Sequence, residues 1–177
     1  LDEPLSNLDA SLKDSLRWEI REALKTSRVS AVWVTHDQQE AMSVGDRIGV
    51  LNCGKLVQLD SPEACYRYPI DKFVASFLGE ASFLPAEIDG MIAKTEIGDV
   101  DAKLIENNEE RNSILIRPWD CNVEVAEDNN AIVEWIRYEG ATKAASILLS
   151  SGNRVLIRIE NSFNLSAGDA VKISLDE

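Results

Sequence analysis

The chain has 177 residues, of which 45% are hydrophobic and 28% are charged, as in an ordinary globular protein of one medium domain or two small ones. Its longest apolar run, Ala31–Val34, is far shorter than the ~20 residues that a membrane-spanning helix needs, which excludes such a helix. The net charge is −13, and residues 80–177 carry −10 of it because they hold 9 basic and 19 acidic residues. A nucleic acid is therefore a poor partner for that half.

Residues 1–79 alternate helical and strand patterns. Apolar residues recur at helical spacing and predict a helix over Ala10–Lys25, with Asp9 as its N-cap. The β-branched and apolar segment Val29–Thr35 predicts a strand covered on both faces, as in a parallel sheet. A short helix is predicted over Asp37–Val44. A helix between buried strands favours an α/β layered fold.

The rest of the first half predicts a hairpin and two short helices. The hairpin pairs Arg47–Leu51 with Lys55–Leu59 across a glycine-containing turn. Ser61-Pro62-Glu63 is typical of a helix start, with a capping serine, a proline at the first helical position and an acid in the first turn. A further short helix is predicted over Lys72–Leu78.

The composition changes near Gly79, and short strands separated by turn residues follow it, which predicts a domain over residues 1–79 and a second one over residues 80–177. The strand spacing favours a small barrel or sandwich for the second. Exposed loops are predicted at 106–111 and 127–130. The predicted strands are Leu84–Ile88, Met91–Thr95, Ile114–Arg117, Ala131–Tyr138, Ala144–Leu149, Val155–Ile159 and Ala170–Leu175.

Three features near the start of the chain point to chemistry when they are taken together. Asp2-Glu3-Pro4 comes first, Ser6-Asn7-Leu8-Asp9 follows, and Thr35-His36-Asp37 ends the predicted apolar strand. Adjacent acids, or a lone histidine, are usually structural. Here the single histidine lies just past the carboxyl end of a predicted buried strand, where α/β sheets bind their ligands.

The same residues carry a resemblance to the ATPases of ATP-binding-cassette (ABC) transporters, which have a P-loop NTPase fold. LDEPLSNLD resembles the end of their Walker B motif and their D-loop, and VTHDQQEA resembles their H-loop. The stretch from Asp46 to Glu80 is similar to the end of the nucleotide-binding domain in binding-protein-dependent importers. The motifs follow the family order and cover residues 1–79 without a gap.

The resemblance implies a role for each of these side chains in ATP hydrolysis, which needs Mg²⁺, an oriented water molecule and donors for the developing charge. Asp2 would bind the nucleotide's Mg²⁺, directly or through water. Glu3 would orient or deprotonate the attacking water. His36 would hydrogen-bond the γ-phosphate or that water, and so act in both catalysis and nucleotide binding. The D-loop residues at the interface of two ATPase subunits would be Ser6, Asn7, Leu8 and Asp9.

Other motifs of these ATPases do not occur in the sequence. It contains neither a G-x-x-x-x-G-K-[ST] phosphate loop nor an LSGGQ-type signature. We therefore expect the chain to be a C-terminal fragment, starting inside Walker B, of a protein roughly twice as long. ATPase activity with ATP and Mg²⁺ is expected of the full-length protein, and little ATP binding of the fragment.

The second half resembles the TOBE regulatory domain of importer ATPases, an all-β OB-like barrel. Ile114-Leu115-Ile116-Arg117-Pro118 is similar to its IRPE element, although Trp119 stands in the usual glutamate position. The resemblance implies a homodimer, with sensing of a solute or regulator as one possibility and simple stabilisation of the dimer as the other. A nucleic-acid-binding OB-fold is disfavoured by the charge of −10.

The transported substrate is suggested by one short segment. Ala81-Ser82-Phe83-Leu84-Pro85-Ala86 looks like the start of the regulatory domain in ferric-iron importers of the Fbp/Fut type. Polyamine, sugar and sulfate importers share the remaining pattern and stay open. The family implies a peripheral protein on the cytoplasmic face of the cell membrane, with permease subunits and a periplasmic binding protein as partners. The alternative is a stand-alone regulatory module that dimerises without catalysis.

Overall fold

The structure, a computed structural model, describes residues 1–101, 104–105, 113–126 and 129–176. The chain divides into two compact units, Leu1–Gly79 and Glu80–Glu177. The first mixes helices and strands, and the second is built from antiparallel strands in its described part. The loop predicted at 106–111 and the first two residues of the loop predicted at 127–130 lie outside the described residues.

The first unit has helices and one hairpin close to their predicted positions. Helix α1 runs two residues past its predicted end and stops at Arg28, which adopts a left-handed φ of 52°. The hairpin turns at Cys53-Gly54, where both residues have positive φ, as a tight two-residue hairpin loop requires. The elements are α1 (Ala10–Ser27), α2 (Gln38–Val44), β1 (Ile48–Asn52), β2 (Lys55–Asp60), α3 (Pro62–Arg67) and α4 (Lys72–Phe77).

Side-chain caps define where three of these helices begin. Asp37, Ser61 and Asp71 each accept a hydrogen bond from backbone N–H groups in the first turn of α2, α3 and α4. Asp9 has the extended backbone of an N-cap residue before α1, as predicted, but its side chain makes no capping hydrogen bond. The core of the first unit consists of Ile48, Val50, Cys65, Val74 and Leu78.

The prediction of a buried strand over Val29–Thr35 is wrong. The segment is extended, but its pairing is a single parallel bridge between Val34 and Asp2. Val29, Val32 and Val34 are exposed. A parallel strand is stable when neighbours pair along it and both faces are covered. In the part of the chain that the structure describes, only Leu1–Glu3 lies alongside this segment. The pairing is therefore too short to form a parallel ladder.

The second unit contains three antiparallel sheets within its described residues. The largest has the strand order β12-β11-β10-β13-β9, and the two smaller ones have the orders β3-β8-β7 and β4-β5-β6. Their strands are β3 (Ser82–Pro85), β4 (Glu87–Asp89), β5 (Ile92–Thr95), β6 (Gly98–Asp101), β7 (Leu104–Ile105), β8 (Ser113–Ile116), β9 (Cys121–Val125), β10 (Ala131–Tyr138), β11 (Thr142–Leu149), β12 (Arg154–Glu160) and β13 (Ala170–Leu175).

Most predicted strands of this unit are confirmed within two residues at their ends. The predicted strand Leu84–Ile88 is wrong as one element, because the chain breaks at Ala86 between β3 and β4. Strands β6, β7 and β9 are not predicted by the sequence pattern. Strand β9 alternates apolar and polar residues, but it is short and has no fully buried side chain. Short, half-exposed strands carry a weak hydrophobic signal.

The core of the second unit lies against the largest sheet. Strand β11 is central, between β10 and β12, and four consecutive residues of it are buried. Ile147 and Ile157 face this core with no exposed surface. The remaining buried apolar residues of the core are Leu84, Ala93, Ile97, Ile114, Ile116, Ala131, Val133, Ala145, Leu149, Val155, Ile159, Leu165, Val171 and Ile173.

Candidate active site

The parallel bridge between Asp2 and Val34 brings the two predicted catalytic segments together. The N–H of Val34 donates to the carbonyl of Leu1 at 2.9 Å, and the N–H of Glu3 donates to the carbonyl of Val34 at 2.8 Å. Because parallel segments end at the same edge, the acids after Leu1 and the histidine after Val34 emerge side by side. The local pairing therefore positions His36 beside Glu3, 33 residues away in the chain.

Glu3 and His36 contact each other directly. His36 Nδ1 lies 2.9 Å from Glu3 Oε1. An ionised carboxylate can only accept a hydrogen bond, so Nδ1 carries the proton and donates it. The side chains are 46% exposed for Glu3 and 74% exposed for His36, so both are open to a ligand. Glu3 also has a φ of +41°, which is uncommon for a residue other than glycine and often marks a functional site.

The Glu3 carboxylate changes how His36 binds protons. Its hydrogen bond is the main cause that raises the pKa of His36 above the ordinary value of 6.5, and its negative charge adds to the effect. Since the folded pKa is the higher one, the contact stabilises the fold fully below the unfolded pKa and ceases to do so as the pH rises through the folded pKa. The imidazole is thus held closer to its cationic form, which attracts phosphate.

Asp2 offers the one carboxylate that the proposed magnesium role requires. Its side chain is exposed, and it forms no hydrogen bond or ion pair within the described residues. Within the same residues, no group of three histidine, cysteine or acidic side chains could hold a metal ion. This donor set fits Mg²⁺, which is usually held by one or two carboxylates together with water and substrate phosphates, rather than by a protein cage.

The predicted D-loop residues lie in a turn that follows Glu3. The N–H of Ser6 donates to the carbonyl of Glu3 at 3.2 Å, and the N–H of Leu8 donates to that of Leu5 at 3.2 Å. Leu5 is buried and anchors the turn. Leu8 is partly buried. The polar D-loop residues are exposed, namely Ser6, Asn7 and Asp9.

A set of charged residues lies around Asp37, next to His36, and the sequence pattern does not predict it. Arg17 of α1 is 8% exposed, and its Nη2 lies 3.3 Å from Asp37 Oδ2. Glu40 of α2 is 2% exposed; Trp33 Nε1 donates to it at 3.3 Å, and Lys13 Nζ lies 3.9 Å away. Buried charges are rare unless they are paired. The only signal in the sequence is that Lys13 and Arg17 stand four residues apart on a helix, which is common on solvated faces as well.

Comparison with known proteins finds relatives that match the chain along most of its length. The chain is 34% identical over 182 residues to "Fe(3+) ions import ATP-binding protein FbpC 2" of Rhodococcus jostii, covering 98% of this chain and 51% of that protein. It is 40% identical over 131 residues to the FbpC protein of Rhizobium etli, covering 71% of this chain and 37% of that protein. Its homologues are Fe(3+) ions import ATP-binding proteins.

Other relatives match a shorter part of the chain. The FbpC 1 protein of Pectobacterium atrosepticum matches over a shorter stretch of 85 residues, 48% of this chain and 24% of that protein, with a higher identity of 49%. The alignment with the Rhodococcus FbpC 2 protein covers 98% of the chain and so includes both units. The chain spans about half the length of the curated relatives that it matches over its whole length. No protein-family model matches it.

Among the helices that the structure describes, none is long and apolar enough to cross a bilayer.

Proposed function

We propose that this chain is part of the ATP-hydrolysing, energy-coupling subunit of a bacterial ABC importer for ferric iron. The observation that carries the proposal is the contact between Glu3 and His36, beside an exposed Asp2, where two parallel segments end. The names of the FbpC relatives support ATP as the nucleotide and Fe(3+) as the imported ion. Because the chain spans about half of those proteins, the activity belongs to the full-length protein.

The contact suggests how the two side chains divide the chemistry. Glu3 accepts a hydrogen bond and is open on its other side, so it can orient a water molecule and take its proton. His36 keeps Nε2 free of the Glu3 contact, so it can donate to a phosphate oxygen or to the same water when the imidazole is cationic. The pair thus combines a base for the nucleophile with a donor for the developing negative charge.

Asp2 completes the proposed set by holding Mg²⁺ through water. The bound ion would neutralise charge on the phosphate oxygens during phosphoryl transfer. A phosphate-binding loop is needed as well, and this sequence contains none. Hydrolysis is therefore proposed for the full-length protein, and weak ATP binding for residues 1–177. The D-loop residues, Ser6 to Asp9, would lie at the interface between two ATPase subunits.

The first test is made on the full-length protein together with its permease subunits and its periplasmic binding protein in liposomes. We expect Mg²⁺-dependent ATP hydrolysis that rises when the binding protein carries ferric iron, with accumulation of iron inside the liposomes. Sugars, polyamines and sulfate, each with the same binding protein, serve as controls for the substrate. ATP hydrolysis that does not rise when the binding protein carries ferric iron would refute ferric iron as the substrate. A full-length protein without ATPase activity would refute the enzyme and favour a regulatory module.

For the second unit we propose a TOBE-type regulatory domain with an OB-like architecture, which holds two copies of the chain together. The antiparallel sheets and the alignment of relatives across both units support it. Trp119, in place of the usual glutamate, is exposed and so puts no new side chain into the core. In the complete importer, the ATPase subunit would lie on the cytoplasmic face of the membrane, against the permease subunits.

Dimer formation is tested by light scattering on residues 1–177. We expect the mass of two chains, in equilibrium with one chain on dilution, because the dimer interface is proposed to lie partly in this half of the protein. Cleavage between the units, followed by the same measurement on residues 80–177, separates the contribution of the second unit. A mass of one chain at every concentration would contradict the proposed dimerisation.

A further inference from the structure

Arg17 links the helix that follows the D-loop to the residue beside His36. Helix α1 starts immediately after Asp9, and Arg17 lies in its third turn. The guanidinium contacts two carboxylates, with Nη1 at 2.9 Å from Asp14 Oδ1 and Nη2 at 3.3 Å from Asp37 Oδ2. Asp14 is on the same helix and exposed, so it orients the guanidinium, and Asp37 is the partner outside α1.

Asp37 uses both of its carboxylate oxygens, and it lies next to His36 in the chain. Oδ1 accepts hydrogen bonds from the N–H groups of Gln39 and Glu40 at 2.8 and 3.2 Å and so caps α2. Asp37 Oδ2 accepts the hydrogen bond from Arg17 Nη2. The N–H of Asp37 donates to Thr35 Oγ1 at 3.0 Å. The backbone is therefore held on both sides of His36, whose own ring is exposed.

A second contact joins the same two helices one turn earlier on α1. Lys13 Nζ lies 3.9 Å from Glu40 Oε1 and 3.9 Å from Asp37 Oδ2. Glu40 also accepts a hydrogen bond from Trp33. Trp33 directly precedes Val34, the residue that is paired with Asp2. The exposed segment that carries His36 is thus tied to α1 through charged side chains rather than through an apolar core.

The burial of Arg17 carries an energetic cost that a merely structural contact need not incur. Its side chain is 10% exposed, and its Nε has no hydrogen-bond partner in the described structure. A buried donor without a partner is unfavourable, because it has lost its hydrogen bonds to water and gained none in exchange. Replacing buried ion pairs by apolar residues is often neutral or stabilising. Stability therefore does not explain why Arg17 is buried against Asp37. Holding Asp37 in a specific position explains it better.

We propose that Arg17 is a positioning residue for His36, because it holds Asp37 and thereby couples the D-loop helix α1 to the histidine that contacts Glu3. The proposal rests on the proposed ATPase function. When the D-loop is displaced at the interface between two subunits, α1 moves with it. Arg17 then carries that displacement to His36. Outside α1, Arg17 contacts Asp37 and not His36 itself in the described residues, so its effect on His36 acts through Asp37.

The test compares Arg17→Gln and Arg17→Lys with Arg21→Gln. Arg21 lies one turn later on α1 and binds Asp46 and the carbonyl of Val44, so it joins the same helices away from His36. Lysine keeps the charge but cannot bridge two carboxylates as guanidinium does. We expect kcat of the full-length protein to fall about tenfold for Arg17→Gln, with KM for ATP changed by less than about twofold, and to fall less for Arg17→Lys. Arg21→Gln should keep wild-type kcat.

A second readout is independent of ATP hydrolysis. It uses residues 1–177, in which His36 is the only histidine, so the imidazole NMR signals need no assignment. Loss of a nearby positive charge alone would raise the pKa of His36 in Arg17→Gln. Loss of position weakens the contact with Glu3 and lowers that pKa instead. We expect the pKa of His36 to fall in both Arg17 variants and to stay unchanged in Arg21→Gln.

These outcomes separate the positioning role from the proposed function. A wild-type protein without ATPase activity refutes the function, whereas the NMR titration still decides whether Arg17 positions His36. Unchanged kcat together with an unchanged or raised His36 pKa in both Arg17 variants overturns the positioning role. If Arg17→Gln does not fold, as judged by its circular dichroism, Arg17→Lys decides the question, because it keeps the charge and the aliphatic part of the side chain.

Discussion

Replacing Glu3 with glutamine is expected to lower kcat for ATP hydrolysis by about 10²–10⁴-fold in the full-length protein, the usual contribution of a positioned general base. Glutamine has nearly the same shape as glutamate, but it cannot accept a proton from the attacking water. Since the carboxamide can still hydrogen-bond His36, the geometry of the site is retained. Steady-state kinetics with Mg²⁺ and ATP measure the effect, and equilibrium binding of ATP should stay close to wild type.

The matched control is Glu19→Gln, the same chemical change at an exposed position of α1. It should leave kcat unchanged, because its side chain is on the surface and takes no part in the proposed site. Wild-type kcat in Glu3→Gln would show that another residue activates the water. Loss of ATP binding in Glu3→Gln would point to a role in holding the nucleotide rather than in proton transfer.

The same variant also tests the electrostatic origin of the contact. With a neutral carboxamide at position 3, the pKa of His36 should fall toward its ordinary value of 6.5, because the negative charge is lost and the remaining hydrogen bond to a neutral oxygen stabilises the imidazolium less. The stability difference between wild type and variant should shrink as the pH rises through the pKa of His36 in the folded wild type. NMR titration of His36 and urea unfolding at several pH values measure the two effects.

Replacing Ile157 with alanine should lower the free energy of unfolding of the second unit by about 2–5 kcal/mol, as for other large-to-small changes in a core. Ile157 of β12 is fully buried, and its register partner on β11, Ala145, is too small to fill the space that alanine would leave. Strand β12 is held to β11 by pairing along most of its length, which limits how far the backbone can move to close the cavity. Urea unfolding followed by circular dichroism measures the loss.

Ile132→Ala on β10 is the matched control, since that isoleucine is 50% exposed. Its loss should stay below about 1 kcal/mol, because surface substitutions rarely exceed that value. Equal losses for the two variants would mean that the large sheet does not enclose the core as described. A large loss for Ile132→Ala alone would indicate that its face is covered, for example by a second copy of the chain.

The helices and turns of the first unit were largely predictable, because their signals are local. Ser61-Pro62-Glu63 starts α3 where the capping rule puts it, and Gly54 lies in the turn of the hairpin. The sequence of Val29–Thr35 predicts a buried strand, whereas the segment is extended and exposed at Val29, Val32 and Val34. Its apolar character was correctly recognised, but burial depends on neighbouring strands, which lie elsewhere in a sheet and leave no trace in the segment itself.

By itself, the sequence determined which residues belong to the candidate site and in which order they occur. The order and identity of the neighbouring residues point to Asp2, Glu3 and His36. Only the tertiary structure decided that His36 contacts Glu3, since that contact depends on a parallel bridge between segments more than 30 residues apart. It alone revealed the burial of Arg17 and Glu40. Charged residues normally favour water, so their burial follows from packing between helices and not from any local pattern.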